Sequence, residues 1–171
     1  MGRVSKKEDK SVYQKKREEL GLSREKASEQ LCMSSDRLEK IENGKPAIRP
    51  EEVLAMSDEY KSPKLCNYYC ANECPIGIQY VPEVEMKSLS EIVLGMVASL
   101  NAMGNKKDRL IEITADGLIT ADEIKDFVDI QQSLEDISIT VEMLQLWVEQ
   151  MMDNGKIDME AYNSYIQTQK K

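Results

Sequence analysis

The chain has 171 residues, enough for one ordinary domain or two small ones, and its 41% hydrophobic and 32% charged residues suit a soluble packed protein rather than a disordered one. One Phe, one Trp and eight Gly argue against an aromatic- and turn-rich β-sandwich or barrel, and the absence of His removes His-dependent triads, most zinc hydrolase sites and the usual neutral-pH general base. The net charge of −8 is uneven: residues 1–64 carry 15 basic against 13 acidic side chains, residues 65–171 carry 8 against 18, and the first 17 residues alone hold seven basic against two acidic.

Helical periodicity runs through the first 73 residues. A first helix is expected over about 10–20, with Tyr13, Arg17 and Leu20 on one stripe and Gly21 as its stop. Ser23 is placed to cap a short helix over Arg24–Leu31, and Ser34 to cap a third over Ser35–Asn43 that ends at Gly44. Pro50, with Glu51 and Glu52 at the positive helix end, opens a fourth running to Tyr60. Pro63 opens a fifth that stops before Pro75. The next stretch, 75–87, has two Pro and no helical period and reads as an extended linker with a short strand at Ile78–Val81. Leu89, Ile92, Val93, Met96, Val97, Leu100 and Met103 then mark a long amphipathic helix. Ile124, Phe127, Leu134, Ile137, Val141, Leu144, Val148 and Met151 mark another of roughly thirty residues, about 45 Å long, which calls for hairpin or coiled-coil packing.

Two segments resemble each other, Asp116-Gly117-Leu118-Ile119-Thr120 and Asn154-Gly155-Lys156-Ile157-Asp158. Each has a turn dipeptide, an Ile and a helix-capping residue, and Thr120 with Glu123 forms a capping-box pattern. The two suit helix ends that pair as tiny strands. The span 112–123 also overlays loosely on a calcium-loop template, with Gly117 at the turn and Glu123 in last place, but a turn followed by a capped helix explains it better.

The most specific signal is REKASEQLCMSSDRLEKIE, residues 24–42. Two helices crossing at a tight turn need apolar residues at fixed offsets and a small residue at closest approach. Ala27, Leu31, Met33, Leu38 and Ile41 supply the first and Ser28 the second. With Arg17-Glu18-Glu19-Leu20-Gly21-Leu22-Ser23 before it and Glu42-Asn43-Gly44-Lys45 and Arg49-Pro50 after it, the stretch resembles the lambda-repressor-like (Cro/repressor) helix-turn-helix family over residues 10–73. The resemblance implies a buried ion pair between Arg17 and Glu42. It places base-reading positions on Ser35, Asp36 and Lys40, with Arg24 at the start of the second helix, Ser34 and Arg37 beside them, and phosphate contacts at Asn43 and Lys45. Lys6, Lys7, Lys10, Lys15 and Lys16 add to the field. The sequence departs from the family at Cys32, where the turn usually has Gly, and at Asp36 and Glu39, which make the reading helix less basic.

Cys66, Cys70 and Cys74 stand four apart. On a straight helix the outer two lie ~12 Å apart along the axis, too far to share an ion, so packing is preferred to a metal or redox site. No cofactor is expected and nothing assembles an enzyme site. The combined expectation is an all-α protein with a five-helix DNA-binding domain at 1–74, a linker at 75–87 and an acidic helical dimerisation or interaction domain at 88–171. It would be a cytoplasmic, bacterial-type homodimeric regulator, a repressor reading a palindrome in double-stranded DNA through helix 35–43, with no membrane span. Two alternatives stay open: an antitoxin or adaptor that binds a protein through the acidic helices, and a cysteine-based metal or redox sensor.

Overall fold

The computed structural model describes residues 10–45 and 47–169, and among them every regular element is helical. In chain order they are α1 (Val12–Glu19), α2 (Arg24–Gln30), α3 (Ser35–Glu42), α4 (Pro50–Glu59), α5 (Lys64–Asn72), α6 (Gly77–Tyr80), α7 (Leu89–Gly104), α8 (Lys107–Ile113), α9 (Ile124–Asp153) and α10 (Met159–Gln169). The all-α expectation holds, with a helix-turn-helix region at the N-terminal side and long helices beyond it. No helix among the described residues is long and apolar enough to cross a membrane.

The described residues form two compact units, 10–83 together with 150–169, and 84–149. Residues 150–169 therefore group with the first unit, whereas the charge pattern draws a single acidic body over 88–171.

In the first unit, α1–α5 enclose a core of Tyr13, Ala27, Leu31, Leu38, Ile41, Ile48, Val53, Met56, Tyr60 and Leu65. The helices start where side chains can take up orphan N–H groups. Ser11, Ser23 and Ser34 accept from Gln14, Lys26 and Arg37 at 3.2 Å each. At α4 the Glu52 carboxylate accepts from the Arg49 backbone N–H at 2.8 Å, and Pro50 opens the helix without needing a donor. Tyr13 meets the ring of Tyr68 edge-on at 6.2 Å and donates to Glu73 at 3.2 Å, tying α1 to α5.

The expected extended segment at 75–87 is corrected over part of its length. Residues Gly77–Tyr80 form a helical turn, not a strand. Ile78 N–H donates to the Cys74 carbonyl at 2.9 Å and Val81 N–H to the Gly77 carbonyl at 2.7 Å, so the backbone is satisfied locally and needs no neighbouring strand. Gly77 permits this because a Cβ there would sit 2.1 Å from the Cys70 carbonyl oxygen.

The paired tiny strands at 116–120 and 154–158 are corrected as well. Both segments are turns, with Gly117 at φ 76 and Gly155 at φ 64. Asp116 accepts from Leu118 N–H at 3.0 Å, Glu123 accepts from the Thr120 N–H and hydroxyl at 3.0 and 2.6 Å, and Asp158 caps α10 by accepting from Ala161 N–H at 3.0 Å. Short local bonds of this kind outcompete a two-stranded ribbon with no apolar face to bury.

In the second unit, Val84, Ile92, Ile113, Ile130 and Leu146 are buried. Ser88 and Glu91 form a reciprocal capping box at the start of α7. Past the end of α7, Lys106 reaches α9, donating to the Asp129 carbonyl at 3.2 Å and to Ser133 at 2.9 Å. Earlier in α7, Gly95 faces the side chain of Thr140. The two helices therefore run antiparallel. Arg109 on α8 pairs with Asp126 at 2.7 Å, holding α8 against the first turn of α9.

Candidate nucleic-acid interface

The turn between α2 and α3 begins with backbone chemistry. Leu31 caps α2, Cys32 N–H donates to the Glu29 carbonyl at 3.2 Å, and Met33 N–H donates to the Ser28 carbonyl at 3.0 Å. This is the paired closure that needs a left-handed residue just past the helix, usually Gly. Gly21 and Gly44 play that part after α1 and α3, at φ 67 and 68, but after α2 the residue is Cys32 at φ 51. A side chain in that region costs about 1–2 kcal/mol, partly offset in a Gly variant by the larger chain entropy lost on folding. Cys32→Gly is therefore expected to stabilise the protein by about 0.5–1 kcal/mol, read as a rise in urea midpoint at unchanged m-value. An unchanged or lower midpoint contradicts it.

Ala27 is completely buried at the crossing, and Ser28 beside it is buried with its hydroxyl donating to the Glu25 carbonyl at 2.8 Å. Small side chains here let α3 approach α2 closely. Leu38 and Ile41, at 1% and 2% exposure, turn the inner face of α3 into the core. With 100° between successive residues, Asp36, Glu39, Lys40 and Asn43 fall on the opposite face, and all four are exposed. Ser34 is exposed but its hydroxyl already caps the helix, and Ser35 is half-buried at the rim. Lys45 is exposed in the loop after α3.

Glu42, with a fully buried carboxylate, sits between two guanidiniums. Arg17 approaches it through Nε at 2.5 Å and a terminal nitrogen at 3.1 Å, and donates its other terminal nitrogen to the Leu22 carbonyl at 2.6 Å. Arg24 adds Nε at 3.0 Å from the same carboxylate and a weaker 3.4 Å contact to Glu39. The bond to Glu42 holds Arg17 protonated more firmly than a free arginine. Tyr60 is buried in the same field, and among the described residues its hydroxyl is the buried side-chain polar atom with no hydrogen-bond partner. Desolvation, then the charge of Glu42, pushes its pKa up to about 12.

Arg37, half-buried, grips Glu52 with a fork of 2.7 and 2.5 Å and donates to the Ala47 carbonyl at 3.3 Å. The guanidinium lowers the Glu52 pKa from the usual carboxylate range, and the clamp fixes α3 to the start of α4. Two of the three cations expected on α2 and α3 therefore spend their charge inside the protein. Among the described residues neither Lys40 nor Lys45 has an ion-pair partner. The motif itself, residues 23–45, has five basic and five acidic side chains and no net charge. The positive excess of this region lies in residues 1–17. Lys6 and Lys7 lie outside the described residues, Lys10 pairs with Glu18 at 2.6 Å, Lys16 with Glu19 at 3.6 Å, and Lys15 is exposed.

Sequence reasoning missed the Arg37–Glu52 clamp and the second arginine on Glu42. The residues lie 15 and 18 apart, and no helical or turn spacing links them. The only trace was an acidic residue in the first turn of α4. Cys32 is exposed, and Cys66, Cys70 and Cys74 are of intermediate burial. Among the described residues no group of three His, Cys, Asp or Glu side chains is placed to hold a metal ion.

Comparison with known families matches residues 14–64 to the helix-turn-helix family, covering α1 to the start of α5. No curated protein and no solved structure matches the chain.

Proposed function

We propose, from the match of residues 14–64 to the helix-turn-helix family and the resemblance of that region to lambda-repressor-like DNA-binding domains, that the protein is a sequence-specific repressor that reads a palindromic operator as a homodimer. The observation that carries this reading is the outward stripe of α3, where Asp36, Glu39, Lys40 and Asn43 stand exposed while Leu38 and Ile41 anchor the helix beneath them. A helix presented in this way enters the major groove with its outer side chains at base edges. Lys40 suits guanine O6 and N7. Asp36 and Glu39 accept from cytosine N4, and Asn43 and Lys45 suit phosphate. A face with two acceptors and one cation favours G·C steps and gives affinity that depends on the flanking cations at the N-terminal side.

Arg24 and Arg37 act in this reading by positioning α3, because their charge is taken up by Glu42 and Glu52. One such helix covers only a few base pairs, so two copies reading half-sites about one turn, ~34 Å, apart give the needed length. Repression follows by occlusion of the bound DNA, in the cytoplasm where that DNA lies. The acidic helical part beyond the linker supplies association between copies and stays off the DNA, since its net charge repels phosphate.

Selection of bound sequences from a random duplex pool at physiological salt tests the proposal. An enriched palindrome is expected. On the selected site, Lys40→Ala is expected to weaken binding about ten- to a hundredfold, relax preference at one base pair per half-site and leave Tm unchanged. A pool with no enrichment over bulk DNA sinks the reading and favours a protein-binding adaptor.

A further inference from the structure

α7 is unusually apolar for a helix with so much of its surface in water. Its sixteen residues hold one charge, Glu91, yet Leu89, Val93, Leu94, Val97 and Leu100 are 39–70% exposed. A helix apolar around most of its circumference is ordinarily buried. α9 shows the same excess within the second unit. Phe127, Ile130, Leu134, Ile137, Val141, Leu144 and Val148 follow an unbroken three-four spacing, and Leu134 and Val141 are 46% and 40% exposed.

Much of the two stripes lies on one side of the antiparallel pair, Leu94 excepted. Ile92, Gly95 and Ser99 of α7 and Thr140 and Met143 of α9 line the groove between the helices. Stepping 100° per residue from that contact, and reversing the sense for the antiparallel partner, brings Leu89, Val93 and Leu100 to the same side as Ile137, Val141 and Leu144. The charges segregate to the other side. Glu91, Glu135 and Glu142 all step the opposite way, and Glu91 and Asp136 line the groove's far rim with Lys87.

We propose that this two-helix apolar face is where a second copy of the chain docks, stacking its own α7–α9 pair to give a four-helix association with two-fold symmetry. The inference rests on the homodimer reading above and assigns that dimer its surface. Charge decides the occupant. The unit over 84–149 carries five basic and thirteen acidic side chains, so most ways of bringing two copies together oppose like charges. From Ile130 to Val148 the positions flanking the α9 seam are Gln131, Ser133, Ser138, Thr140, Gln145 and Trp147, none charged, and Asp126 at the start of the seam is already paired with Arg109. Self-contact here meets no repulsion, while a basic partner finds no carboxylate to pair with. Unbroken heptad spacing also calls for another helix of the same period. The exposed side chains amount to on the order of 500 Å² per copy, so pairing removes roughly 1,000 Å², the lower bound for a specific interface.

Sedimentation of the full chain at micromolar concentration tests this. The wild type is expected to be dimeric. Val93→Glu and Val141→Glu, both exposed and so compatible with folding as checked by helicity and Tm, are each expected to weaken dimerisation at least tenfold. Ala98→Glu, exposed on the opposite side of α7, is expected to leave it intact. A dimer that survives both Val93→Glu and Val141→Glu overturns the assigned surface and leaves the homodimer standing. A chain that is monomeric throughout overturns both.

Discussion

Replacing Glu42 by Ala is expected to cost about 3–5 kcal/mol. The carboxylate is fully buried and takes bonds from Arg17 and Arg24. Its removal leaves the Arg17 guanidinium, itself only 8% exposed, with the Leu22 carbonyl and a loose 3.8 Å approach to the more exposed Glu18. Against a total stability of roughly 5–15 kcal/mol this is a large fraction, and it lowers Tm by on the order of 15 °C or more. The paired replacement Arg17→Met with Glu42→Leu is expected to recover most of the loss, because it removes the uncompensated charge as well as the attraction. Arg24, more open to water, then loses little. Urea unfolding of the wild type, Glu42→Ala and the double variant decides it. A loss below about 1 kcal/mol for Glu42→Ala, or a double variant no better than the single, contradicts the account.

Leu38→Ala is the second large effect. Leu38 is 1% exposed and anchors the inner face of α3 between the positions that look outward. Truncation removes buried methyl groups and leaves a cavity, at about 2–5 kcal/mol. The consequence separates stability from recognition. At a temperature where the variant is still folded, its affinity for the selected operator is expected to stay within about twofold, since Asp36, Lys40 and Asn43 keep their places on the exposed stripe. Lys40→Ala shows the reverse, weak binding at full stability. Thermal unfolding and binding measured on both variants test the division. If Leu38→Ala loses specific binding while fully folded, α3 is not held rigidly by its neighbours and the outward stripe is not the reading surface.

Much of the local structure was legible without coordinates because it depends on residues three or four apart. Ser23 and Ser34 announce helix starts, Gly21 and Gly44 announce ends, and the apolar steps Leu38–Ile41 and Leu134–Ile137–Val141–Leu144 announce buried or seam-forming stripes. Cys32 was marked as the odd residue at a left-handed position, and its φ of 51 places it there. Two helices left weaker signals, α10 only the capping residue Asp158 at its start. α8 is seven residues long with no side-chain cap, and α10 is mostly polar, with Tyr162, Tyr165 and Ile166 exposed. In place of the strand expected at Ile78–Val81 stands a helical turn at Gly77–Tyr80, because two Pro suppress the helical period in the sequence while its backbone bonds need only one turn.

The sequence by itself determined the helix starts and stops, the apolar stripes, the concentration of positive charge in the first 17 residues and the resemblance that pairs Arg17 with Glu42. Only the tertiary structure decided that Arg24 shares the Glu42 carboxylate, that Arg37 is spent on Glu52, and that apolar side chains such as Val93, Val97 and Val141 are left uncovered on α7 and α9. Helix formation is closed by bonds to near neighbours in the chain, so its signals are written in short spacings. Which arginine meets which carboxylate, and which face is left uncovered, depends on how separate helices stack, and packing joins residues with no fixed separation in sequence.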